Sequence, residues 1–492
     1  MSNALVTRSR TGISGLDDIL CGGFLPSRLY LIDGNPGAGK TTVAMQYLLQ
    51  GVREGQRCMY VTLSESAEEL HDGAHSHGWT LDGIDVIELI PGEDDLRGDE
   101  ELTMFHPSEV ELNETTRLML EAVERINPQR LVFDSLSELR LLAQGSLRYR
   151  RQILALKQFF SGRECTVLML DDRTSEGPDL QLQSIAHGVI SLEHMAPTYG
   201  RALRQVRVVK FRGSDFRSGF HHIRLNRGGV DVFPRLAATD HSVDFDRVQL
   251  VSGVQALDNL LAGGIDSGTS TLIVGPAGAG KSTIALQYAL AAVRRGQHAQ
   301  IFTFDESKST LMARAAGLGM AIPEGAGPGQ LSVRQVDPAE ISPGEFAHMV
   351  LRSVEDDDAK VVVIDSLNGY MNAMVDGQYL TAQLHELLSY LGNRGVSTFL
   401  IAAQTGMIAV QMGAPGDASY LADTIVYTRY FEHEGRVKKA ISVLKKRSGQ
   451  HEQTIRELRL SAQGVWLSEP LASLRGTLTG SPIDLGSTSS TT

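Results

Sequence analysis

The feature that most constrains the fold is an internal repeat. The segment from Thr11 to Ser66 aligns without a gap with the segment from Ser252 to Ser307. Lys40 then stands opposite Lys281, a constant offset of 241 residues. Later sequences recur in the same order, with "RLVFDSLSEL" matched by "VVVIDSLNGY" and "VVKFRGSDF" matched by "VLKKRSGQH". A period this long indicates two duplicated domains rather than a solenoid of short repeats.

The length of the chain agrees with two domains. Its 492 residues exceed the roughly 250 to 300 at which a single hydrophobic core stops growing. We place the first domain at residues 1–240 and the second at 241–479, joined within "LAATDHSVDFD" near residues 236–246. The remaining residues, 480–492, are rich in Gly, Ser and Thr and are predicted to form a flexible tail.

Cysteine usage and charge restrict the environment and the partners. Cys21, Cys58 and Cys165 lie far apart, which favours a reducing compartment and disfavours a disulfide framework or a zinc site. We find neither a run of about 18 apolar residues nor a signal peptide, so we expect a cytoplasmic protein with no membrane partner. A formal net charge of -12 gives no overall attraction to nucleic acid, whose binding is not expected, although a local basic patch could still bind it.

Each half follows the same local pattern. An apolar strand ("RLYLID" or "STLIVG") runs into a glycine loop, a helix with apolar residues at helical spacing, and another apolar strand. Strands that alternate with helices in this way predict an α/β fold with a mainly parallel sheet covered by helices. Ligands should then bind at the carboxyl ends of the strands.

Both glycine loops match the phosphate-binding pattern G-x-x-x-x-G-K-[ST]. Its glycines let backbone N–H groups surround phosphates, and its lysine neutralises the outer phosphates. One match alone could be an ordinary glycine turn, but two matches in equivalent strand-loop-helix contexts leave that alternative little room. We therefore predict two P-loop NTPase domains that bind ATP through Gly34, Gly37, Ala38, Gly39, Lys40, Thr41, Thr42, Gly275, Gly278, Ala279, Gly280, Lys281, Ser282 and Thr283.

A magnesium ion requires an acidic partner besides the loop hydroxyl group. Asp134 ends the apolar strand "LVFD", and Asp365 ends "VVVID". We predict that Asp134 acts with Thr41, and Asp365 with Ser282, to hold Mg²⁺. The alternative is that each Asp-Ser pair only caps the helix that follows.

The strand after each loop helix ends in a second group of acids. "TLSES" provides Glu65, and "TFDES" provides the adjacent pair Asp305 and Glu306. A carboxylate at this place can orient and deprotonate the nucleophile that attacks the terminal phosphate, so these three acids are predicted to be catalytic. The alternative is a solvated acid at a helix start, where the helix dipole favours negative charge.

Together these motifs resemble the KaiC family of RecA-type ATPases and autokinases, over roughly residues 8–480. The resemblance implies two tandem RecA-like domains in a double-ring homohexamer that binds ATP and Mg²⁺ between subunits. The N-terminal ring would mainly hydrolyse ATP and the C-terminal ring would phosphorylate itself. The two catalytic glutamates of the family fall on Ser64 and Glu65 in the first half, so one acid is missing there, and on Asp305 and Glu306 in the second.

The resemblance also assigns cations and a phosphate acceptor. The family's K-x-R residues, which reach a neighbouring subunit's phosphates, match Lys210, Arg212, Lys445 and Arg447, for which we expect no role within their own subunit. A solvated basic strand is the alternative. In "DASYLADT" the family's Ser-Thr acceptor pair becomes Ser419 and Tyr420, whose ring holds its hydroxyl further from the backbone. Ser419 is therefore the predicted phosphorylation site, unless it is an ordinary loop serine, and an equivalent role for Tyr420 is doubtful.

Partners follow from the resemblance as well. The ending "GVWLSEPLASLRGTLTGSP" is similar to that of KaiC homologues found outside cyanobacteria, so binding of KaiA is not expected. The resemblance leaves three kinds of partner open: a KaiB-like protein, a signalling kinase or a response regulator. The protein would then act in clock-like or stress signalling. Two other functions also remain open: a RecA-like DNA repair or helicase motor, and a signalling scaffold whose assembly depends on ATP.

Three further candidates are weaker. "HDGAHSHGW" offers one i, i+4 histidine pair but no acid or cysteine to complete a metal site. "RYRRQ", residues 148–152, is predicted to be a solvated helix face rather than a nucleic-acid site. Gln404, at the end of "TFLIAAQ", is a candidate phosphate sensor or simply the end of a strand.

Overall fold

A computed structural model of the chain describes residues 7–89, 107–173, 180–197, 200–236, 244–320, 322, 329–373, 377–404, 419–477 and 483–484. The described residues fall into two compact units, the first within Met1–Thr198 and Ala202–Arg235 and the second within Tyr199–Arg201 and Leu236–Thr492. Residues 237–243 of the predicted join, and most of the predicted tail, lie outside the described residues. The exact domain bounds therefore stay a prediction.

The first unit alternates strands and helices along most of its length. Its described helices are α1 (Ser14–Ile19), α2 (Lys40–Arg53), α3 (Ala67–Ser76), α4 (Pro107–Ile126), α5 (Leu136–Ala143), α6 (Ser146–Phe160) and α7 (Leu180–Ile185). Its described strands are β1 (Leu29–Gly34), β2 (Cys58–Thr62), β3 (Ile84–Glu88), β4 (Arg130–Asp134), β5 (Thr166–Asp172), β6 (Gly188–Met195), β7 (Leu203–Phe211), β8 (His221–Asn226) and β9 (Gly229–Phe233).

The nine strands of the first unit form one sheet in the order β3-β2-β4-β5-β1-β6-β7-β8-β9. Neighbouring strands from β3 to β6 are parallel, and β6 to β9 continue the sheet as antiparallel strands. The strand that leads into the glycine loop, β1, lies between β5 and β6. The carboxyl ends of β1, β2, β4 and β5 therefore meet at one edge of the sheet.

The second unit repeats this plan. Its described helices are α8 (Gln255–Leu260), α9 (Lys281–Arg294), α10 (Lys308–Gly317), α11 (Pro343–Glu355), α12 (Leu367–Ala373) and α13 (Gly377–Asn393). Its described strands are β10 (Gln249–Leu250), β11 (Ile265–Asp266), β12 (Ser270–Gly275), β13 (His298–Thr303), β14 (Leu331–Gln335), β15 (Ala359–Asp365), β16 (Ser397–Ala403), β17 (Thr424–His433), β18 (Arg436–Lys446), β19 (Arg456–Ser461), β20 (Gly464–Pro470), β21 (Leu474–Arg475) and β22 (Ile483–Asp484).

The main sheet of the second unit has the order β14-β13-β15-β16-β12-β17-β18-β19-β20, which is position for position the order of the first. Two short strand pairs, β10 with β11 and β21 with β22, lie outside it. The predicted α/β fold of two tandem RecA-like domains with mainly parallel sheets is thus confirmed. The sequence pattern did not reveal the three antiparallel strands that extend each sheet.

Helices cover both faces of each sheet, which explains why the central strands read as continuous apolar runs. Successive residues of β1 point to opposite faces, so Tyr30 packs in one core with Val43 of α2, while Leu31 packs in another with Ile153 of α6. Every residue of β1 and of β12 is buried. In the described part of the chain, no helix has the length and apolar character that crossing a membrane requires.

Candidate functional site

The phosphate loop and the predicted acids of the first unit converge at the carboxyl edge of its sheet. The glycine loop leaves β1, Glu65 follows β2, Asp134 ends β4 and Asp172 ends β5. The second unit places its loop after β12, its acid pair after β13 and Asp365 at the end of β15. The strand order therefore assembles one candidate site in each unit, at the edge where such folds bind ligands.

The two loops have the same backbone conformation. Gly37 and Gly39 have φ angles of 74° and 101°, and Gly278 and Gly280 have φ angles of 74° and 101°. Side chains other than glycine rarely adopt this left-handed conformation, so the pattern requires glycine at these positions. Each loop runs directly into the first turn of α2 or α9, whose free N–H groups favour an anion. Both loops thus fit a nucleotide's phosphates.

The two loop lysines have different partners. Lys40 Nζ donates to the carbonyl oxygens of Gly34 (3.0 Å) and Asn35 (3.1 Å), and it lies 2.6 Å from Asp172 Oδ1. Lys281 Nζ donates to the carbonyl oxygen of Pro276 at 2.7 Å. Burial lowers the pKa of the Lys281 ammonium group, and the Asp365 carboxylate opposes that change.

The predicted magnesium-binding pairs lie together in both units. Thr41 Oγ1 donates to Asp134 Oδ2 at 3.3 Å, and the Ser282 hydroxyl is hydrogen-bonded to Asp365. Tyr60 of β2 also donates to Asp134 Oδ2, at 2.5 Å. Burial raises the pKa of Asp134, and the bond from Tyr60 opposes that shift.

This arrangement suits Mg²⁺, which binds through one or two protein carboxylates, water and substrate phosphates rather than a cage of protein ligands. In the described ranges, no three His, Cys, Asp or Glu side chains form a group that could hold a metal ion by themselves. A hydroxyl and a carboxylate beside each phosphate loop are the expected protein contribution to such a shared site. The residues present therefore fit the ion.

The glutamate that follows the second strand is held in the same backbone turn in both units. Thr62 Oγ1 donates to the carbonyl oxygen of Glu65 at 2.6 Å and accepts its N–H at 3.1 Å. Thr303 makes the same two bonds to Glu306. The next residue, Ser66 or Ser307, caps the following helix. Both carboxylates therefore start from equivalent backbone positions.

The side chains of these glutamates differ in their surroundings. Burial raises the pKa of Glu65, and the Asp134 carboxylate raises it further. Glu306 is instead held by Arg314 of α10, whose Nε and Nη2 donate to its two oxygens at 3.1 Å and 2.7 Å. Arg314 Nη1 also donates to Thr283 Oγ1 at 3.2 Å, which links the acid to the start of α9.

The second acid of the pair, Asp305, has a separate partner. Ser366, the residue after Asp365, donates to Asp305 Oδ2 at 2.5 Å. Ser366 Oγ in turn accepts the N–H of Gly369 at 3.1 Å. The two adjacent carboxylates of "TFDES" are therefore fixed by different groups, a cation for Glu306 and a hydroxyl for Asp305.

Sequence reasoning missed two charged residues of these sites. Asp172 was overlooked although "LMLDD" ends an apolar strand in acids, the same signal that identified Asp134. Arg314 lies eight residues beyond Glu306 on a helix with no motif, so no local signal marks it. Each of the two contacts a predicted site residue, Lys40 or Glu306.

The predicted K-x-R cations do have partners within their own units, so the expectation that they lack a role there is wrong. Lys445 Nζ donates to the carbonyl oxygens of Ser419 (3.2 Å) and Ala422 (2.6 Å), and Arg447 Nη2 donates to that of Tyr420 (2.8 Å). In the first unit, the matching pair donates to the equivalent segment, with bonds from Lys210 to Gln183 and Ser184 and from Arg212 to Ser184.

Ser419 and the loop of its own unit lie at opposite edges of the sheet. The segment after Ser419 is fixed at the amino end of β12, where Ser270 Oγ donates to the carbonyl oxygen of Leu421 at 3.2 Å. The loop with Lys281 begins at the other end of this six-residue strand, roughly 17 Å away. Residues 417 and 418 of the predicted segment lie outside the described residues.

The positions of the three weaker candidates, the histidines, the basic segment 148–152 and Gln404, can now be described. The i, i+4 histidine pair, His71 and His75, is exposed on α3, and His77 is bonded to the carbonyl oxygen of Asn226. Residues 148–152 lie in α6. Gln404 follows β16, where its N–H donates to Gly275 O at 3.1 Å. It is thus next to the loop, as a phosphate sensor would be.

Comparisons with known proteins agree with this geometry. A family model described as "ATPase: KaiC" matches residues 9–237 and again residues 250–471. The chain is 24% identical over 485 residues to the circadian clock oscillator protein KaiC of Picosynechococcus sp., covering 97% of this chain and 92% of that protein. It is 23% identical over 489 residues to the circadian clock protein KaiC3 of Synechocystis sp., covering 97% and 95%. The corresponding KaiC of Synechococcus elongatus is 23% identical over 485 residues, covering 97% and 92%.

Proposed function

The chain belongs to the KaiC family of ATP-binding proteins, and from this premise we propose that it is both an ATPase and a serine autokinase. In the proposed division of labour the N-terminal domain hydrolyses ATP, and the C-terminal domain transfers the terminal phosphoryl group to Ser419. The observation that carries the proposal is that each unit brings together a phosphate loop, a hydroxyl–carboxylate pair and a further acid at one sheet edge.

At the N-terminal site, Glu65 is the proposed base for water. Its raised pKa makes it a better proton acceptor once it is ionised, and a single carboxylate can orient a nucleophile as small as water. Lys40 would bind the outer phosphates, while Thr41 and Asp134 would hold Mg²⁺. When bound, Mg²⁺ neutralises charge that develops on the phosphate oxygens.

At the C-terminal site, the proposed nucleophile is a serine hydroxyl. Its proton must be accepted by a carboxylate whose charge is not already paired with a cation. Glu306 is engaged by Arg314 through two bonds, so we assign it a positioning role. Asp305 accepts only a hydroxyl donor among its described partners and is the proposed acceptor of the Ser419 proton. Ser282 and Asp365 would hold the metal ion there.

The distance between Ser419 and its own loop supports transfer between chains. A separation of the order of one whole strand is too large for direct attack, because reacting atoms must approach to about 3 to 3.5 Å. Ser419, Lys445 and Arg447 lie together at the amino edge of the sheet, where a neighbour's loop could meet them. A ring of six subunits, as the family resemblance implies, would repeat this contact around the ring.

A signalling role is the proposed output. The printed names of the relatives describe circadian clock proteins, which supports signalling rather than a repair or helicase motor. A KaiB-like protein, a signalling kinase or a response regulator is the proposed class of partner.

A mixing experiment with intact-mass measurement tests the kinase proposal. Wild-type chains incubated with ATP and Mg²⁺ should gain one phosphate, and Ser419→Ala chains should gain none. Lys281→Ala chains alone should also gain none, but they should become phosphorylated when assembled with Ser419→Ala chains, which keep an intact loop. Light scattering with ATP should show a hexamer.

The outcomes separate the competing functions. Phosphate on wild-type chains but none on Lys281→Ala chains in the mixture would rule out transfer between subunits. A stable hexamer with neither phosphate incorporation nor ATP hydrolysis would leave the ATP-dependent scaffold as the function.

A further inference from the structure

The N-terminal site has an acid at a position where the C-terminal site has an alanine. In the first unit, Asp172 is the register partner of Gly34, the first glycine of the loop. In the second unit, the register partner of Gly275 is Ala403. Asp172 and Ala403 therefore occupy the same place beside equivalent loops, and only one of them is charged.

Asp172 completes the bonding of the loop lysine. An ammonium group has three N–H donors, and those of Lys40 face Gly34 O, Asn35 O and Asp172 Oδ1. The Lys40 side chain is 8% exposed and the Asp172 side chain is 32% exposed, so the ammonium group is buried while the carboxylate is partly open to water. A charge-assisted hydrogen bond of this kind is stronger than one between neutral groups. Ser137 Oγ lies 3.4 Å from the other oxygen of Asp172 and supports its orientation.

The C-terminal lysine is not restrained in this way. Within the described ranges Lys281 makes no ion pair, and its bonded acceptor is the carbonyl oxygen of Pro276. Counting only its partners in the described ranges, Lys281 has further N–H donors with which an incoming phosphate could bond.

We propose that Asp172 determines the nucleotide affinity of the N-terminal site. Its carboxylate holds the Lys40 ammonium group until the outer phosphates of a nucleotide take the place of the carboxylate. The inference rests on the proposed function only in assuming that nucleotides bind at this loop. Two effects weaken binding: the 2.6 Å ion pair must open, and the released carboxylate stays close to the phosphates. The apparent affinity is the intrinsic affinity multiplied by the fraction of molecules in which Lys40 is free of Asp172, so a smaller free fraction gives weaker binding.

Site-resolved nucleotide binding tests this proposal. In full-length Lys281→Ala protein, which reports the N-terminal site, Asp172→Ala should tighten binding of ATP and ADP on the order of tenfold, the effect of one charge-assisted hydrogen bond. Binding of AMP should not change, because AMP lacks the outer phosphates that contact the lysine. A fluorescent ATP analogue displaced by each unlabelled nucleotide measures all three affinities.

Introducing an acid at the matching position of the C-terminal site is an independent test of the same proposal. In otherwise unsubstituted protein, Ala403→Asp should weaken ATP binding at the C-terminal site by a similar factor and leave the affinity of the N-terminal site unchanged. Asp172→Asn, which keeps the shape of the side chain, should resemble Asp172→Ala. Asp82→Ala removes an exposed acid of the same unit and should leave ATP affinity unchanged.

The results distinguish failure of this inference from failure of the proposed function. Unchanged ATP affinity in Asp172→Ala with a lower hydrolysis rate would show a catalytic rather than a restraining role and overturn the inference. An equal change for AMP would also overturn it, since a general structural effect would be the cause. Absence of ATP binding to the unsubstituted chain would instead refute the proposed function itself.

Discussion

At the N-terminal site the loop lysine is paired with a carboxylate, and the glutamate after the second strand makes no ion pair with a described cation. At the C-terminal site the pairing is reversed. Lys281 makes no ion pair with a described acid, and Glu306 is bonded to Arg314. The two sites share strand order, loop conformation and glutamate turn, so they differ in charge pairing rather than in backbone.

This difference in charge pairing would allow one duplicated fold to support the two proposed reactions. An ionisable Glu65 with a raised pKa suits proton transfer from water, whereas a glutamate fixed by arginine suits the placement of a larger nucleophile. The charge pairs also concern the difference between "TLSES", which has one acid, and "TFDES", which has two. The first unit has an additional acid near its loop after all, but Asp172 comes from β5.

The largest effects should come from removing one loop lysine at a time. Lys40→Ala should impair hexamer formation and basal ATP hydrolysis, while Lys281→Ala should chiefly remove phosphate from Ser419. Each affected activity should fall by about 10³-fold or more, because a loop cation serves both in phosphate binding and in stabilising transition-state charge. Hydrolysis assays, light scattering and intact mass on the same samples measure the three properties.

Conservative replacements are the controls for this comparison. Lys40→Arg and Lys281→Arg retain the charge at each loop and should assemble into hexamers. Equal losses of hydrolysis and phosphorylation in both alanine variants would contradict the division of labour.

The next largest effect should come from the acid pair of the C-terminal site. Asp305→Asn with Glu306→Gln should reduce phosphate incorporation at Ser419 by about 10² to 10⁴, which corresponds to ~3 to 5 kcal/mol of barrier. ATP binding and the hexamer should persist, because neither acid is part of the loop. Mass spectrometry of the phosphorylated chain measures the effect.

The single substitutions refine the assignment. If Asp305 is the proton acceptor, Asp305→Asn should account for most of the loss, and Glu306→Gln for a smaller part through release of Arg314. Undiminished incorporation in the double variant, or phosphate found only outside residues 417–424, would show that the pair has another role.

Local sequence predicted what depends on local backbone. The phosphate-binding glycine loops and the acids at the strand ends each follow from a few adjacent residues, and the repeat provided the evidence for each of them twice. The α/β fold could be predicted for the same reason, because buried parallel strands and helices have distinct apolar patterns.

The charge pairs could not be predicted because they depend on strand order and side-chain direction. Lys40 meets Asp172 only because β5 lies next to β1, although β2 to β4 separate the two strands in the sequence. Lys445 and Arg447 contact the Ser419 segment because β17 and β18 pair as antiparallel neighbours. Neither adjacency follows from the motifs themselves.

The smallest predicted effect tests whether charge pairing alone tunes the two glutamates. Gly73 occupies on α3 the position that Arg314 occupies on α10, seven residues after the capping serine in each unit. A Cβ atom at Gly73 would meet only Met45 Cε, at 3.9 Å, so a side chain can be accommodated. Gly73→Arg should therefore place a cation near Glu65, as Arg314 is placed near Glu306.

The expected result is a shift in the pH dependence of N-terminal hydrolysis, measured in the Lys281→Ala background. Glu65 must be ionised to act as a base, so activity should rise with pH through its pKa, which burial raises from its ordinary value. A nearby cation favours the ionised form, so Gly73→Arg should move this rise to lower pH, by less than about one pH unit because the pair is partly solvated. His75→Arg, which adds a cation to an exposed position of the same helix, should leave the profile in place. An unchanged profile in Gly73→Arg, despite a confirmed contact between the introduced guanidinium group and Glu65, would mean that a group other than Glu65 sets the pH dependence.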